Sequence, residues 1–404
     1  MSTLANDPRL IAGEASFRGI VATYRRRISS GDVGQLPVII GLVVIWSVFG
    51  IASGGTFFTP VNLVNLSLQM AAVGTIAVGV VFVLLLGEID LTVGVMSGLA
   101  AGIMAVLNVQ AGLPGPLAVL GGLVAGLLVG AFHGMWITRF RIPSFVVTLA
   151  GLIAWQGVLL FVLGSRGTIN LRDPFITGLA GTFFTGIWAW VIGAGFVVYV
   201  GGTAYMQRRN RVAAGLSGGP TLLVWARTAI SAAVVALAIV VLSQDRGLPL
   251  SLVLLVGLVV VMDFVARRTR FGRMVFAVGG NAEAARRAGI PVDRVRVAVF
   301  IMASTFAAWG GILAASRLLA VTQSSGSGDV LLNAIASAVI GGTSLFGGRG
   351  TAWAALLGIL VIQSISNGMD LLSFEPAIKL TITGAVLLTA VTIDALARRG
   401  REQH

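Results

Sequence analysis

"NLVNLSLQMAAVGTIAVGVVFVLLL", Asn62 to Leu86, is the stretch on which the fold turns. It holds no charged residue. A helix of this length rises about 37 Å at 1.5 Å per residue, more than the ~30 Å hydrocarbon core of a bilayer. In water it would leave an apolar surface on every side; in lipid that surface is solvated. Comparable runs lie near 36–53, 91–109, 116–138, 144–164, 179–201, 223–243, 249–266, 297–315, 330–346, 351–369 and 377–395. The whole chain of 404 residues is 56% hydrophobic and 11% charged, against about 25% charged in a soluble domain. The expected fold is all-α, a polytopic transmembrane helical bundle of about twelve spans (ten to twelve), with membrane lipid as its outer contact.

Arginine sets the orientation, because cytoplasmic loops accumulate Arg and Lys. Arg25–Arg27, Arg139 with Arg141, Arg208, Arg209 and Arg211, the eight arginines from Arg267 to Arg296, and Arg398, Arg399 and Arg401 fall on one side of this topology. Arg166, Arg172, Arg246 and Arg317 fall on the other. Both termini are therefore read as cytoplasmic. Residues 1–35 form a polar tail rather than a cleavable signal. The membrane domain runs 36–396 with a cytoplasmic loop at 267–296, and 397–404 form a second tail. The net charge of +13 reports this orientation and not nucleic acid: the arginines flank spans and carry no interleaved aromatic platform for bases.

Gly122, Gly126, Gly130 and Gly134 recur every fourth residue and make one smooth face along the fourth span. Another helix can approach closely there, within the subunit or at a dimer seam.

Reactive chemistry is sparse. A phosphate-binding loop needs a glycine-rich turn before a lysine, and the only lysine is Lys379, in "FEPAIKL". With no cysteine there are no disulfides or thiolate sites. His133 and His404 make neither a zinc-protease helix nor a relay, and His133 is read as a packing residue near the inner end of its span. "GGTSLFGGRG", Gly341–Gly350, lacks a dinucleotide-site context and reads as a tight cytoplasmic turn. Neither an enzyme nor a cofactor-binding protein is expected.

Polar groups in hydrocarbon cost several kcal/mol each unless satisfied, so those within spans are candidates for function. Asn62, Asn65 and Gln69 share a face of the second span; Asn333, Ser337 and Gly341 share one in the tenth; Gln363 and Asn367 share one in the eleventh. Uncharged amides and hydroxyls suit a neutral, hydroxyl-rich solute, and they equally suit interhelical hydrogen bonds. "GEIDLTVG", Gly87–Gly94, breaks the second span from the third, on the cytoplasmic side by the arginine count. There Asp90 is placed to cap a helix beginning at Leu91; a gate at the inner mouth and a proton or cation site are the alternatives for Glu88 and Asp90. Asp263 and Asp394 read as solvated interfacial charges.

"GGNAEAARRAGIP", Gly279–Pro291, is a helix in miniature. Asn281 is a preferred N-cap, Glu283 lies in the first turn, Arg286 and Arg287 in the last, and Gly289 stands where a left-handed residue ends a helix. Glu283 and Arg287 are four apart in the favourable order. So short a helix is not stable alone, since roughly 12–15 residues are needed for marginal stability in water. Its apolar face, Ala284, Ala285 and Ala288, must lie against something: its own bundle or a cytoplasmic partner.

Glu283, Ala284, Ala285 and Gly289 reproduce the spacing of the "EAA" loop of ABC importer permeases. With "RTRFGRMVFAVGGNAEAARRAGI" (Arg268–Ile290), "GEIDLTVG", "RIPSFVVTLAG" (Arg141–Gly151) and "VIGGTSLFGGRG" (Val339–Gly350), the chain resembles the permeases of monosaccharide ABC importers. Two extra spans around 179–243, with "RRNR" and "QDRGLP", make it resemble the D-xylose members. The resemblance implies a homodimer on a separate ATPase, which holds ATP and Mg, and a periplasmic sugar-binding protein that docks outside. It implies that Gly279, Gly280, Asn281, Glu283, Ala284, Ala285, Arg287 and Gly289 form the coupling helix. Arg166, Arg172, Arg246 and Arg317 would face acids on the binding protein. The rival reading, an ion-coupled secondary sugar carrier, calls for a charge at mid-membrane and gives no reason for a coupling helix.

Overall fold

A computed structural model describes residues 36–215 and 221–402. The tail 1–35, with Arg25–Arg27, lies outside the described residues. The helices are α1 (Leu36–Ala52), α2 (Pro60–Leu85), α3 (Val93–Ala105, continued by a π turn at Val106–Gln110), α4 (Gly115–Phe140), α5 (Ser144–Leu163) and α6 (Pro174–Gly181). Next come α7 (Ile187–Ala213), α8 (Thr221–Leu242), α9 (Leu250–Arg268), α10 (Arg270–Gly280), α11 (Ala282–Arg287) and α12 (Val292–Leu318). The last three are α13 (Asp329–Ile340), α14 (Ala352–Leu371) and α15 (Pro376–Glu402). Among the described residues nine helices are long and apolar enough to cross a membrane, and Leu36–Ala52, Asp329–Ile340 and Pro376–Val386 are shorter apolar segments.

Three boundaries differ from expectation. The sixth span begins at Ile187, not 179, because Pro174 starts a separate short helix whose N-cap, Asp173, accepts from Phe175 N and Ile176 N. It also runs on to Ala213, so Arg208, Arg209 and Arg211 stand on its last turns rather than in a loop. At the C-terminus α15 continues to Glu402, through most of the segment read as a tail.

The chain divides into two compact units. Residues 35–182 and 249–396 form the larger, built around α2 and α12. Eighty-nine percent of the most apolar stretch of α2 is buried, although α2 is a helix of a membrane bundle. What lets neighbours come so near is glycine: on α4, Gly122 faces Ala100 O and Ile312, Gly126 faces Ser304 O, Gly130 faces Phe300 O and Ile301, and Gly134 faces Val297. A methyl at any of them would meet α12 or α3 below normal contact distance, as expected where backbones replace side chains at a helix crossing. The glycine face of the fourth span is thus spent on α12 of the same chain, and the dimer-seam reading of it fails. The described part of the smaller unit holds α7 and α8, which pack on one another, with Gly193 against Val235 and Ile239.

Candidate functional site

The miniature helix is α11, six residues long. Asn281 Oδ1 accepts from Ala284 N at 2.9 Å, which satisfies one of the amides left free at a helix start. At the other end Gly289 has φ +82, Ile290 N donates to Ala285 O and Gly289 N to Arg286 O, both at 3.0 Å. That double closure is the Schellman motif, and φ there suits glycine. Glu283 pairs with Arg287 (3.2 Å) and Arg286 (3.4 Å). Two assignments change. Gly279 and Gly280 belong to the end of α10 rather than to the miniature helix. Of the three alanines only Ala285 is buried, against the chain's own bundle; Ala284 and Ala288 are exposed beside Glu283 and Arg287.

Gly279 ties this loop to the bundle. A methyl there would collide with Leu85 O, at the end of α2, and Gly348 N donates to the same carbonyl at 2.9 Å. Gly347 in turn lies so close to Gly279 O and Gly87 N that a side chain would not fit. Three loops therefore meet backbone to backbone. Glu88 Oε1 adds an ion pair with Arg296 Nη2 (2.9 Å), on the second turn of α12. Glu88 is thus a half-buried strut between "GEIDLTVG" and the start of α12.

"GEIDLTVG" does not stay at the end of the bundle. After Glu88 the chain climbs into the bundle without regular secondary structure, held by Ser144 Oγ, which accepts from Ile89 N (3.2 Å). Thr92 reaches Gly151, eight residues into α5, which is about 11 Å along its axis. The helix beyond begins at Val93, not Leu91, and Thr92 occupies the N-cap position without capping. Asp90 is 4% exposed and accepts from Thr92 N (2.8 Å) and Thr92 Oγ1, while its Oδ2 has no partner. His133 lies alongside Gly151 too; its Nε2 accepts from Trp155 Nε1 at 2.9 Å. It is completely buried and well inside α4, not at the interface.

A second break mirrors this one. Beyond α12 the strand Ala320–Thr322 pairs antiparallel with Thr168–Asn170, just past the outer end of α5. The following loop then turns inward. Gln156 Nε2, thirteenth of the twenty residues of α5, donates to Gln323 O (3.1 Å). Ser325 O and Gly326 pack on Gly98 and Gly94 so tightly that neither α3 glycine could carry a methyl. From Asp329 the chain descends as α13, twelve residues or about 18 Å, half a bilayer. Two discontinuous elements thus meet mid-bundle, an arrangement that transporters use where backbone must line a cavity rather than face lipid. The charge count within the spans changes as well, since Asp90 is buried inside the bundle and Asp329 is exposed at the start of α13.

Four of the intramembrane amides pair with each other. Asn62 and Asn367 exchange two hydrogen bonds (2.9 and 3.0 Å), Asn62 also donates to Phe57 O (2.8 Å), and Gln363 donates to Gln69 (2.7 Å). They fasten α2 to α14. Ser337 is buried and donates to Asn333 O (2.6 Å), at the point where its own carbonyl meets Gly358 of α14. Asn65 is exposed and Asn333 half-buried. Asp263 is not simply solvated but pairs with Arg267 (2.7 Å); the side chain of Asp394 lies outside the described residues.

On the outer side Arg172 is exposed and lines a pocket of about 600 Å³ with Asn108, Val109, Thr168, Ile169, Asn170 and Asp173. The π turn presents Asn108, which donates to Leu113 O (2.9 Å) and Asp173 Oδ2 (3.2 Å). Arg246 pairs with its neighbour Asp245 (3.2 Å) and stacks over Phe183 (4.9 Å), so it is engaged within its own loop. Arg317 is exposed at the end of α12. Arg166 lies in a single 3-10 turn, and its side chain is outside the described residues. Sequence reading missed Gln323–Asp329 altogether; its clustered Ser and Gly, too polar for a span, was the available signal. Among the described residues no group of His, Cys, Asp and Glu could hold a metal ion.

A multi-pass helical bundle with broken helices at its centre and a capped helix in an arginine-rich loop is the architecture of a membrane permease. The chain belongs to the family described as "Branched-chain amino acid transport system / permease component", which matches residues 62–391, and within it is a sugar-type ABC permease of the inner membrane. It is 38% identical over 373 residues to the xylose transport system permease protein of Escherichia coli strain K12, covering 92% of this chain and 94% of that one. The xylose permease of Haemophilus influenzae is 34% identical (91% and 98% covered) and the ribose import permease of Bacillus subtilis 30% (92% and 96%). No solved structure matches.

Proposed function

We propose that this chain is the transmembrane subunit of an ATP-driven importer of D-xylose, working as a homodimer with a separate cytoplasmic ATPase and a periplasmic sugar-binding protein. The observation that carries the reading is α11. It is capped at both ends, packed through Ala282 and Ala285, and displays Glu283, Ala284 and Arg287 on the arginine-rich side. A cleft on an ATPase would take that face. ATP-driven closure of the ATPase would push α11, and the backbone junction of Gly279, Leu85, Gly87 and Gly347–Gly348 joins α11 to "GEIDLTVG" and so to the mid-bundle crossing. Two states of this linkage, inward-open and outward-open, are all that alternating access requires. ATP and Mg act at the partner, and this chain supplies no residue to their chemistry.

Xylose is favoured over other pentoses by the similarity to two xylose permeases along nearly their whole length. Arg172, beside Asn108 and Asn170, supports docking of the binding protein on the outer face. The buried Asp90 with its unpartnered Oδ2 favours the second reading, an ion-coupled carrier. Purified protein reconstituted with the ATPase and the loaded binding protein should take up labelled xylose only when ATP is supplied. Uptake by this subunit alone, driven by a proton or sodium gradient, would overturn the proposal.

A further inference from the structure

The loop Gln323–Asp329 does something none of the mechanism above uses. It enters from the outer side, reverses beside Gly94 and Gly98, and leaves Gln323, Ser324, Ser327 and Asp329 exposed half-way down the bundle. Polar side chains at that depth do not face hydrocarbon, where each would cost several kcal/mol. They face either water or another protein surface. Their chemistry is a row of hydroxyl and amide groups with a single carboxylate: Ser327 Oγ donates to Ser324 O (2.6 Å), the Thr322 and Ser324 hydroxyls are hydrogen-bonded to each other (3.0 Å), and the Asp329 carboxylate and Gln323 amide have no partner among the described residues. The row is continuous with the outer face, because Thr168 and Asn170, which line the outer pocket, stand on the strand paired with Ala320–Thr322.

We propose that Ser324, Ser327 and Asp329 form a station at which the sugar is held by its hydroxyls as it crosses, so that this subunit, and not the binding protein alone, selects the solute. The inference rests on the sugar-importer reading. A pentopyranose offers vicinal hydroxyls, each both donor and acceptor. A carboxylate accepts two of them, and serine hydroxyls donate or accept as the ring turns. The carboxylate bonds are the stronger, charge-assisted ones and the serine bonds the weaker, and a few of them on one face of the ring replace water without enclosing the sugar. The absence of a cation at the station excludes tight capture of an acidic solute.

The chain has no cysteine, so Ser327→Cys introduces a single thiol. In the reconstituted importer a water-soluble thiol reagent should modify it, loaded binding protein with ATP should slow that modification, and modification should abolish xylose uptake. Asp329→Asn should lower xylose uptake by about tenfold or more while the binding protein still stimulates ATP hydrolysis. It should also narrow the preference for xylose over an analogue lacking one hydroxyl. Modification of the introduced thiol only by a lipid-soluble reagent would place the row against lipid, and oxidative cross-linking of two chains through it would make it a subunit seam; either overturns the station. So would wild-type rates and selectivity in Asp329→Asn, or a parallel loss of ATPase stimulation. If the wild-type chain takes up no sugar with ATP, it is the importer reading itself that has failed.

Discussion

Helices α2 and α8 are comparably apolar, free of acidic residues and long enough to span, yet 89% of the best stretch of one is buried and 6% of the other. In water such a difference would read as core against surface; here both surfaces are solvated, one by protein and one by lipid. What separates them is the size of what faces them. Gly74 and Gly79 of α2 let Leu255 and Ala303 approach its backbone, and Gly310 of α12 lies against Ala72 O. Without a hydrophobic drive between helices, close packing and hydrogen bonding must hold a membrane core together. Small residues at crossings therefore matter more than greasiness, and that is where the comparison is most easily broken.

The largest effect is expected at Gly98. A side chain there runs into Ser325 O, a backbone atom that cannot rotate away. Gly98→Val should give no monodisperse protein on size-exclusion chromatography in detergent, whereas a normal elution profile would show that the mid-bundle crossing is not rigid. Next come the struts around α11. Glu283→Ala, which removes both ion pairs of α11, and Glu88→Gln, which breaks the link to Arg296, should each lower ATP-driven uptake by about tenfold, equivalent to about 1.4 kcal/mol. Protein yield and elution should be unchanged, and normal uptake in both variants would remove α11 and its junction from the drive train.

How much of this was legible in the sequence depends on whether the signal was local. The caps of α11 were: Asn281, Glu283, Arg287 and Gly289 act within one short segment, and the structure places each side chain where its spacing put it. The spans were legible as runs. The two breaks were not. "GEIDLTVG" looks like a loop because it is polar, and only contacts with Gly151, far along the chain, show it climbing into the bundle. Gln323–Asp329 hides for the same reason: its depth is set by Gly94, Gly98 and Gln156, on two other helices. The amide faces on α2 and α14 were found by periodicity, but nothing in either helix alone could tell that Asn62 and Asn367 had been matched to each other.

That match should cost less to break than the struts. Asn62→Leu leaves the Asn367 amide buried without its partner, and double-mutant estimates for single hydrogen bonds between membrane helices average about 0.6 kcal/mol. Losing two such bonds, plus the one to Phe57 O, should lower the melting temperature of the detergent-solubilised protein by a few degrees, with Asn62→Leu/Asn367→Leu recovering part of the loss. A double variant less stable than the single one would show that the amides serve a polar cavity rather than each other.

The smallest effect belongs to the lipid-facing side of the comparison. Gly195 of α7 has nothing within 4 Å of where a methyl would go and ordinary helical backbone, so no crossing depends on its smallness. Gly195→Ala removes backbone freedom at no steric cost, which stabilises a helix by up to about 1 kcal/mol. The melting temperature should stay level or rise slightly, and xylose uptake should not change. A fall in either would mean that this face of α7 is covered by protein in the membrane. The sparse burial of the α7–α8 pair would then mark a contact surface of the assembled importer rather than a boundary with lipid.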